Sequence, residues 1–304
     1  MLFPSHQLHG CPVNSEAFKG IFSVMGDHYI PQYYLKGFTG DRDLIWVYEK
    51  GSARKFGTLV KNIAHENGYY SPELEQYLAN EIEEPANSVL AKIRKKKPIT
   101  TSDKIKLSDY MVAMLKRVPD SKRRLKQRAP QITSTIRMEI DNKIQDILAT
   151  NPNKAEAIEK RRSEIHDVLD KYAKDPPKNV WLSTIPPHTS SQPIELIQKM
   201  TWMFLVYDKE SAFFTSDNPV FFFSGLGIGN AESEITFPVS SNIVLWANWR
   251  SDLREGYHRT TVQIVKEINR RTASKATRYV YHAADEKWIP AFVNKSKYEL
   301  HMLM

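Results

Sequence analysis

The sequence predicts an α+β protein in which a mixed or antiparallel sheet, built from N- and C-terminal segments, lies beside a central helical bundle. Short runs rich in β-branched and aromatic residues occur before residue 66 and again after residue 200. Between them, apolar residues recur every three or four positions, which is the spacing of amphipathic helices. Strands early, helices in the middle and strands late are typical of the α+β class.

The N-terminal strands follow a signature that runs from Asp27 to Phe38. Pro31 fits the first position of a short helix, where its missing N–H costs nothing, and it holds Ile30 extended. The signature then places the side chains of Tyr34, Leu35 and Phe38 on one helical face. Two strands are predicted after it, at residues 44–49 and 58–64.

Four helices are predicted in the middle of the chain, at residues 72–93, 102–118, 130–149 and 154–173. Pro85 should bend or split the first of them, because proline removes a helical hydrogen bond. Asp175-Pro176-Pro177 ends the helical section.

The C-terminal part returns to strand patterns. Residues 196–208 fit a helix or a strand equally well, because they form one nearly continuous apolar run. Residues 260–277 are predicted to be helical. Strands are predicted at residues 212–215, 220–223, 235–239, 243–249 and 278–282.

Composition favours one domain without disulfides. We expect residues 25–304 to form a single α+β domain with a helical, basic middle section at about 98–178. Because Met25 stands just before the signature, residues 1–24 are interpreted as an upstream start or a loosely ordered extension. Cys11 is the only cysteine, which excludes a disulfide framework. No run reaches about 18 consecutive apolar residues, so we expect a cytoplasmic protein without a membrane partner.

Positive charge is concentrated between residues 91 and 128. This segment holds fourteen Lys and Arg residues against three Asp, a net charge of +11, whereas the net charge of the whole chain is +8. A concentrated basic surface is typical of proteins that bind phosphate backbones. The alternative is a solvated helical face that aids solubility. The candidate nucleic-acid-binding residues are Lys95, Lys96, Lys97, Arg123 and Arg124.

His28 is the first candidate for chemistry. The signature places it just outside a helix N-terminus, where the partial positive charge favours a neutral imidazole that can accept a proton or bind a metal. The alternative is a histidine that only hydrogen-bonds the backbone at the turn.

Asp217 and Asn218 are further candidates, in the sequence Ser216-Asp217-Asn218-Pro219. A carboxylate at a strand end is a common metal ligand or general base. The alternative is an Asx-turn, in which the Asp217 side chain caps its own backbone.

Arg117 precedes Val118-Pro119 at the end of a predicted helix. We expect it to clamp a phosphate, or to pair with Asp217 or Glu75. The alternative is a cation that interacts only with the carbonyl groups at the end of its helix.

Several enzyme classes are excluded by their missing motifs. The sequence has no phosphate-binding loop that ends in Gly-Lys-Ser/Thr, no Gly-x-Ser-x-Gly elbow and no His-Glu-x-x-His zinc pair. The glycines between Gly225 and Gly229 have the wrong spacing for a dinucleotide fingerprint and are interpreted as a loop.

The order of these motifs resembles the bacterial family catalogued as domain of unknown function 4238. The resemblance covers residues 27–283 and depends on matches to His28, Tyr29, Ile30, Pro31, Tyr34, Leu35, Phe38, Tyr70, Ser71, Leu74, Glu75, Arg117, Pro119, the Ser216–Pro219 turn, Phe237 and Pro238. It adds Glu75 to the candidate site. Members of this family resemble components of bacterial antiviral hotspots, so the resemblance implies a role in phage restriction without implying a mechanism.

Two hypotheses follow. In the first, the protein is a hydrolase of the nuclease type, in which His28, Glu75, Arg117, Asp217 and Asn218 converge and the carboxylates hold a divalent metal ion. In the second, it is a non-catalytic sensor or toxin-like interaction module that recognises a phage component. The first requires the five residues to meet in one cleft.

Overall fold

The computed structural model describes residues 26–185, 192–209 and 212–303. The predicted extension at residues 1–24 lies outside them. The strands are β1 Asp27–His28, β2 Leu44–Glu49, β3 Lys55–Leu59, β4 His65–Glu66, β5 Thr201–Val206, β6 Thr215–Ser216, β7 Phe221–Phe222, β8 Glu234–Ser240, β9 Ile243–Asn248, β10 Gly256–Arg259 and β11 Tyr279–His282. The helices are α1 Gln32–Leu35, α2 Pro72–Tyr77, α3 Glu84–Arg94, α4 Thr101–Arg117, α5 Pro119–Thr150, α6 Ala155–Lys174, α7 Lys178–Leu182, α8 Gln192–Lys199, α9 Val262–Lys275 and α10 Ile289–Val293.

Two larger sheets confirm the predicted α+β class. The four-stranded sheet has the order β3-β2-β11-β6 and is antiparallel throughout, so it joins N-terminal strands to C-terminal ones. The five-stranded sheet has the order β10-β5-β9-β8-β7 and is mixed, because β10 runs parallel to β5. The short strands β1 and β4 pair with each other. Every residue of β8 and β9 is buried, which places these two strands in the core.

The first predicted helix, which Pro85 was expected to bend or split, is not split there. A π-helical segment, Leu78–Glu83, joins α2 to α3, and Pro85 follows it within the first turn of α3. The altered hydrogen bonding of a π turn accommodates a proline, which has no N–H to donate. At the start of α2, the Ser71 hydroxyl accepts a hydrogen bond from the Leu74 N–H.

The third predicted helix begins earlier than residue 130. Helix α5 starts at Pro119 and passes through Pro130. Residues 119–129 are so rich in charge that they show little apolar periodicity, and proline favours a helix start, so the pattern indicated Pro130 instead. Helices α5 and α6 pack against each other as a long hairpin, and few of their side chains are buried.

Residues 196–208, which fitted a helix or a strand equally well, contain the end of a helix and a strand. Helix α8 ends at Lys199 and β5 begins at Thr201. The sequence patterns also missed β10 and α10, which are short. In the part of the chain that the structure describes, no helix is long and apolar enough to span a membrane.

Candidate functional site

His28 lies in β1, directly opposite His65 of β4, and the two ring centroids are 5.2 Å apart. The helix that follows begins only at Gln32, so His28 is farther from a helix N-terminus than the signature indicated. Burial lowers the pKa of His28, and the neighbouring His65 and Arg117 lower it further. The backbone of Lys61 hydrogen-bonds the ring, whereas the buried Nε2 has no hydrogen-bond partner among the described residues. Burial, rather than a helix dipole, is therefore the largest effect that favours the neutral form of His28.

The backbone next to the β1–β4 pair is strained at Ala64. The N–H of Tyr29 donates to the carbonyl oxygen of Ala64 at 2.9 Å. Ala64 has a φ of +55°, in the left-handed region that residues with a side chain seldom adopt. Strain of this kind persists only where surrounding contacts fix it, and it is concentrated at functional sites.

Arg117 is only 1% exposed, and its guanidinium joins three segments of the chain. Its Nε donates to the Tyr70 hydroxyl (3.0 Å), its Nη1 to Glu83 (2.6 Å) and its Nη2 to the His28 carbonyl oxygen (2.5 Å). Burial opposes the cation, but Tyr70 and Glu83 outweigh this effect and raise the pKa of Arg117. The direct acidic partner is thus Glu83, not Glu75 or Asp217.

Glu75 lies beside this network without a hydrogen bond to it. Its Oε2 is buried and has no hydrogen-bond partner among the described residues. Burial raises the pKa of Glu75 to about 7, and repulsion from Glu83 and Asp27 adds to the effect, although Arg117 acts in the opposite direction. A carboxyl group that titrates near neutral pH can donate or accept a proton under physiological conditions.

Asp217 is 2% exposed and binds a distant part of the backbone. Its carboxylate accepts hydrogen bonds from the N–H groups of Thr277 (2.8 Å), Arg278 (2.7 Å) and Tyr279 (3.0 Å), at the start of β11. The side chain therefore caps a turn sixty residues away rather than its own. Burial raises the pKa of Asp217 to about 6, although the three N–H donors favour the ionised form.

Asn218 forms contacts of its own and shares none with His28 or Glu75 among the described hydrogen bonds. Its Nδ2 donates to Asp120 at 3.2 Å, and its buried Oδ1 has no hydrogen-bond partner among the described residues. Asp120 also forms ion pairs with Arg123 and Arg124. These two arginines neutralise a buried carboxylate, so they are less available to phosphates than their sequence suggests.

The remaining basic candidates lie at the other end of α4. Lys95, Lys96 and Lys97 are exposed, and within the described ranges none of them forms an ion pair. They precede the N-terminus of α4, whereas Arg123 and Arg124 follow its C-terminus. A helix of 17 residues is about 25 Å long, so the cationic run is divided between two separate places.

One cavity unites most of the motif segments. It has a volume of about 510 Å³ and is lined by Tyr29, His65, Pro119, Asp217, Tyr279 and Tyr281, among other residues. We call it the motif cavity. Phe56 adds a further aromatic ring, and the Arg278 guanidinium lies over the Tyr279 ring at 4.8 Å while it pairs with Glu49.

The five predicted site residues are therefore distributed over three neighbouring places. Arg117 bonds the His28 backbone in the buried network and Glu75 lies beside it, Asp217 lines the motif cavity, and Asn218 faces Asp120. His65 connects the first two places, because it lines the cavity and also packs against His28. Among the residues that the structure describes, no three His, Cys, Asp or Glu side chains are grouped so that they could hold a metal ion.

The family model described as Protein of unknown function (DUF4238) matches residues 27–286. The chain belongs to this family. Searches of curated proteins and of solved structures found no match. The DUF4238 match begins at β1 and ends shortly after β11, so it contains every residue that lines the motif cavity.

Some residues of the candidate site were missed by the sequence patterns. Tyr279 and Tyr281 are two residues apart in β11, so their side chains lie on the same face of the sheet. This spacing was a usable signal in the sequence. His65-Glu66 is an isolated pair of residues that completes no known motif, so the sequence alone offered no reason to select it. Asp120 had only a local signal, since Arg123 and Arg124 follow it at helical spacing, whereas its contact with Asn218 is set by the fold.

Proposed function

We propose that the protein is an antiviral defence effector that binds a nucleotide, free or at the end of a nucleic acid strand, in the motif cavity. The single observation that carries this proposal is the lining of that cavity, which combines tyrosine rings with two carboxyl groups (Glu66 and Asp217), one imidazole and one guanidinium. The resemblance to components of antiviral hotspots supplies the biological setting. The volume of about 510 Å³ lies within the range of small-molecule sites.

The aromatic lining suits a planar base. Tyr29, Tyr279 and Tyr281 present rings to the cavity, and stacking of a base on an aromatic ring contributes about 1–3 kcal/mol. A sugar or an acyl chain would gain less from flat surfaces. The geometry thus favours a ligand with a heteroaromatic ring.

The polar groups suit the rest of a nucleotide. A carboxylate has about four acceptor positions, and backbone N–H groups occupy three of those on Asp217, which leaves one for the amino group of a base. Arg278 keeps an exposed side chain at the cavity, where its guanidinium can bind a phosphate.

Catalysis would use His28, which packs against His65, and Glu75, which lies beside the Arg117 network. His28 and Glu75 each have a buried atom without a hydrogen-bond partner, and the pKa of Glu75, about 7, suits a general acid or base. We propose that these two side chains transfer protons in a hydrolytic reaction, with a divalent metal ion supplied together with the substrate phosphates.

A second candidate function is favoured by the same atoms. His28 Nε2 and Glu75 Oε2 are shielded from solvent, so a substrate could reach them only if the surrounding side chains or backbone moved. A non-catalytic sensor that recognises a phage component would not require this movement.

The test combines binding and turnover. Mononucleotides and labelled single-stranded RNA and DNA are titrated into the purified protein by calorimetry, with Mg²⁺, with Mn²⁺ and with EDTA, and products are separated by chromatography. Turnover supports the enzyme, and binding without turnover supports the sensor. No binding under any condition would overturn both forms of the proposal.

Arg278→Ala provides the sharpest variant. Arg278 and Arg250 each form an ion pair at the surface, but only Arg278 lines the motif cavity. We expect Arg278→Ala to weaken nucleotide binding at least tenfold, and Arg250→Ala to leave it unchanged. Equal binding by both variants would remove the assigned phosphate contact.

In cells, we expect His28→Ala to abolish protection against phage. The variant should keep its free energy of unfolding within about 2 kcal/mol of the parent, because His28 is only partly buried. An unfolded variant would show that His28 is structural.

A further inference from the structure

A second cavity, of about 520 Å³, lies between α9 and α10 and shares no lining residue with the motif cavity. Val262, Lys266 and Arg270 follow one another at intervals of four along α9, so they present one stripe to this cavity. Trp288, just before α10, and Phe292, within it, also line the cavity, and Lys295 follows that helix. We call it the α9–α10 cavity.

Its interior is apolar and carries no free hydrogen-bonding amide. Trp288 is 42% exposed and Val262 is 44% exposed, so both present apolar surface to solvent at the cavity. Asn269 also lines the cavity, but its Nδ2 donates to the Ala212 carbonyl oxygen (2.9 Å) and its Oδ1 accepts from the Phe214 N–H (3.4 Å). A base or a sugar would therefore lose hydrogen bonds to water here, whereas an apolar body would not.

Positive charge surrounds this apolar interior. Lys266, Arg270 and Lys295 all line the cavity, and no Asp or Glu belongs to its described lining. Arg270 pairs with Glu267, which lies outside the lining, and the Lys295 ammonium group lies over the Phe292 ring at 5.5 Å. Lys266 forms no ion pair with any described residue. An anionic group at this rim would meet the Lys266 and Lys295 ammonium groups, and no carboxylate of the described lining would oppose it.

We infer that the α9–α10 cavity binds a single-chain amphipathic anion, an acyl carboxylate whose chain packs on Trp288 and Val262 and whose carboxylate lies at Lys266 and Lys295. This site is independent of the motif cavity and of the function proposed for it. The chain removes apolar surface from water on both sides, and the carboxylate forms charge-assisted hydrogen bonds.

Calorimetric titration with hexanoate, octanoate and decanoate, each below its micelle concentration, tests the inference. Burial of each added methylene should lower the Kd about three- to fourfold. Decyltrimethylammonium has an apolar chain of the same length but the opposite charge, so it should not bind measurably. A Kd that is independent of chain length, or equal affinity for decyltrimethylammonium, would overturn the inference.

Variants locate the site. The double variant Lys266→Gln/Lys295→Gln should bind decanoate at least tenfold more weakly, and Trp288→Ala should reduce the dependence on chain length. Lys160→Gln/Lys171→Gln, on the exposed surface of α6, is the matched control and should bind like the parent. The thermal midpoint of each variant shows that it is folded. Parent-like binding by Lys266→Gln/Lys295→Gln, or adenosine monophosphate displacing decanoate, would overturn the assigned ligand class.

Discussion

The α4–α5 junction and the α5–α6 hairpin are both rich in charge, yet they use it in opposite ways. At the junction, the Arg117 guanidinium is buried and donates to three different partners. In the hairpin, Arg161 pairs with Glu164 while its side chain stays 75% exposed. Both pairs involve an arginine and a glutamate, so the type of residue does not distinguish them.

The difference teaches that burial, rather than charge count, decides what an ionised side chain does. In a buried site, an unpaired charge costs several kcal/mol, so every partner becomes obligatory and pKa values move. On the surface, water and salt replace any partner, and an ion pair contributes little. The net charge of +11 over residues 91–128 combines both situations, which is why it does not describe one surface.

Arg117→Ala should give the largest effect. It leaves Glu83 and the His28 carbonyl oxygen without their buried donor, so we expect the free energy of unfolding to fall by about 3–5 kcal/mol. Arg161→Ala, the exposed counterpart, should change it by less than about 0.5 kcal/mol. Urea denaturation measures both values, and similar losses in the two variants would break the comparison.

Asp217→Ala extends the test to the wall of the motif cavity. It leaves three backbone N–H groups without an acceptor, and we expect a loss of about 2–3 kcal/mol. Asp252→Ala removes an exposed carboxylate that pairs with Arg250 and should cost less than about 0.5 kcal/mol. The same denaturation experiment decides, and a negligible loss for Asp217→Ala would show that water replaces the carboxylate.

Glu75 predicts a dependence of stability on pH. Its pKa is about 7 in the folded protein and 4.5 in the reference state, so the folded state binds the proton more tightly. The stabilisation is complete below pH 4.5 and is lost as the pH rises from about 4.5 to 7. Allowing for solvent screening, we expect the loss to be about 1–2 kcal/mol.

Glu75→Gln is the control for this prediction, since it keeps the shape of a protonated carboxyl group. Urea denaturation between pH 4 and 8 should show a smaller decline in this variant than in the parent. Parallel curves would mean that Glu75 does not titrate in this range.

The smallest effect on stability is expected for Lys95→Glu/Lys96→Glu/Lys97→Glu, because all three side chains are exposed. If this surface binds polyanions, fluorescence anisotropy with labelled single-stranded RNA should show weaker binding and a shallower salt dependence, by about 0.7 in the log–log slope per lost phosphate contact. Arg123→Glu/Arg124→Glu, in contrast to the lysine variant, should destabilise the fold, because both arginine side chains pair with buried Asp120. Unchanged RNA binding in the lysine variant would remove this surface from consideration.

The sequence predicted what depends on local periodicity. The strand at residues 44–49 and the buried face of Tyr34, Leu35 and Phe38 follow from residue type and spacing, and both are confirmed. The predicted start of α5 at residue 130 was wrong, because the charged residues 119–129 show little apolar periodicity although they are helical.

The candidate site was less predictable for a physical reason. Arg117 was a candidate from its place at a helix end, but its partner Glu83 is fixed by how two helices pack. Asp217 contacts Thr277 across sixty residues, and no sequence spacing encodes such a distance. His65 was recognisable only after β4 was seen to pair with β1.

The π-helical segment Leu78–Glu83 has a consequence for how this site can change. It places one extra residue between α2, which carries Glu75, and α3. An α-helix turns about 100° per residue, so deleting one residue such as Ala79 would rotate α2 by roughly that angle relative to α3. Glu75 would then point away from Arg117 although neither residue had been replaced. The acidic geometry of this site is thus encoded partly in the length of the chain, and a single-codon deletion could remove it.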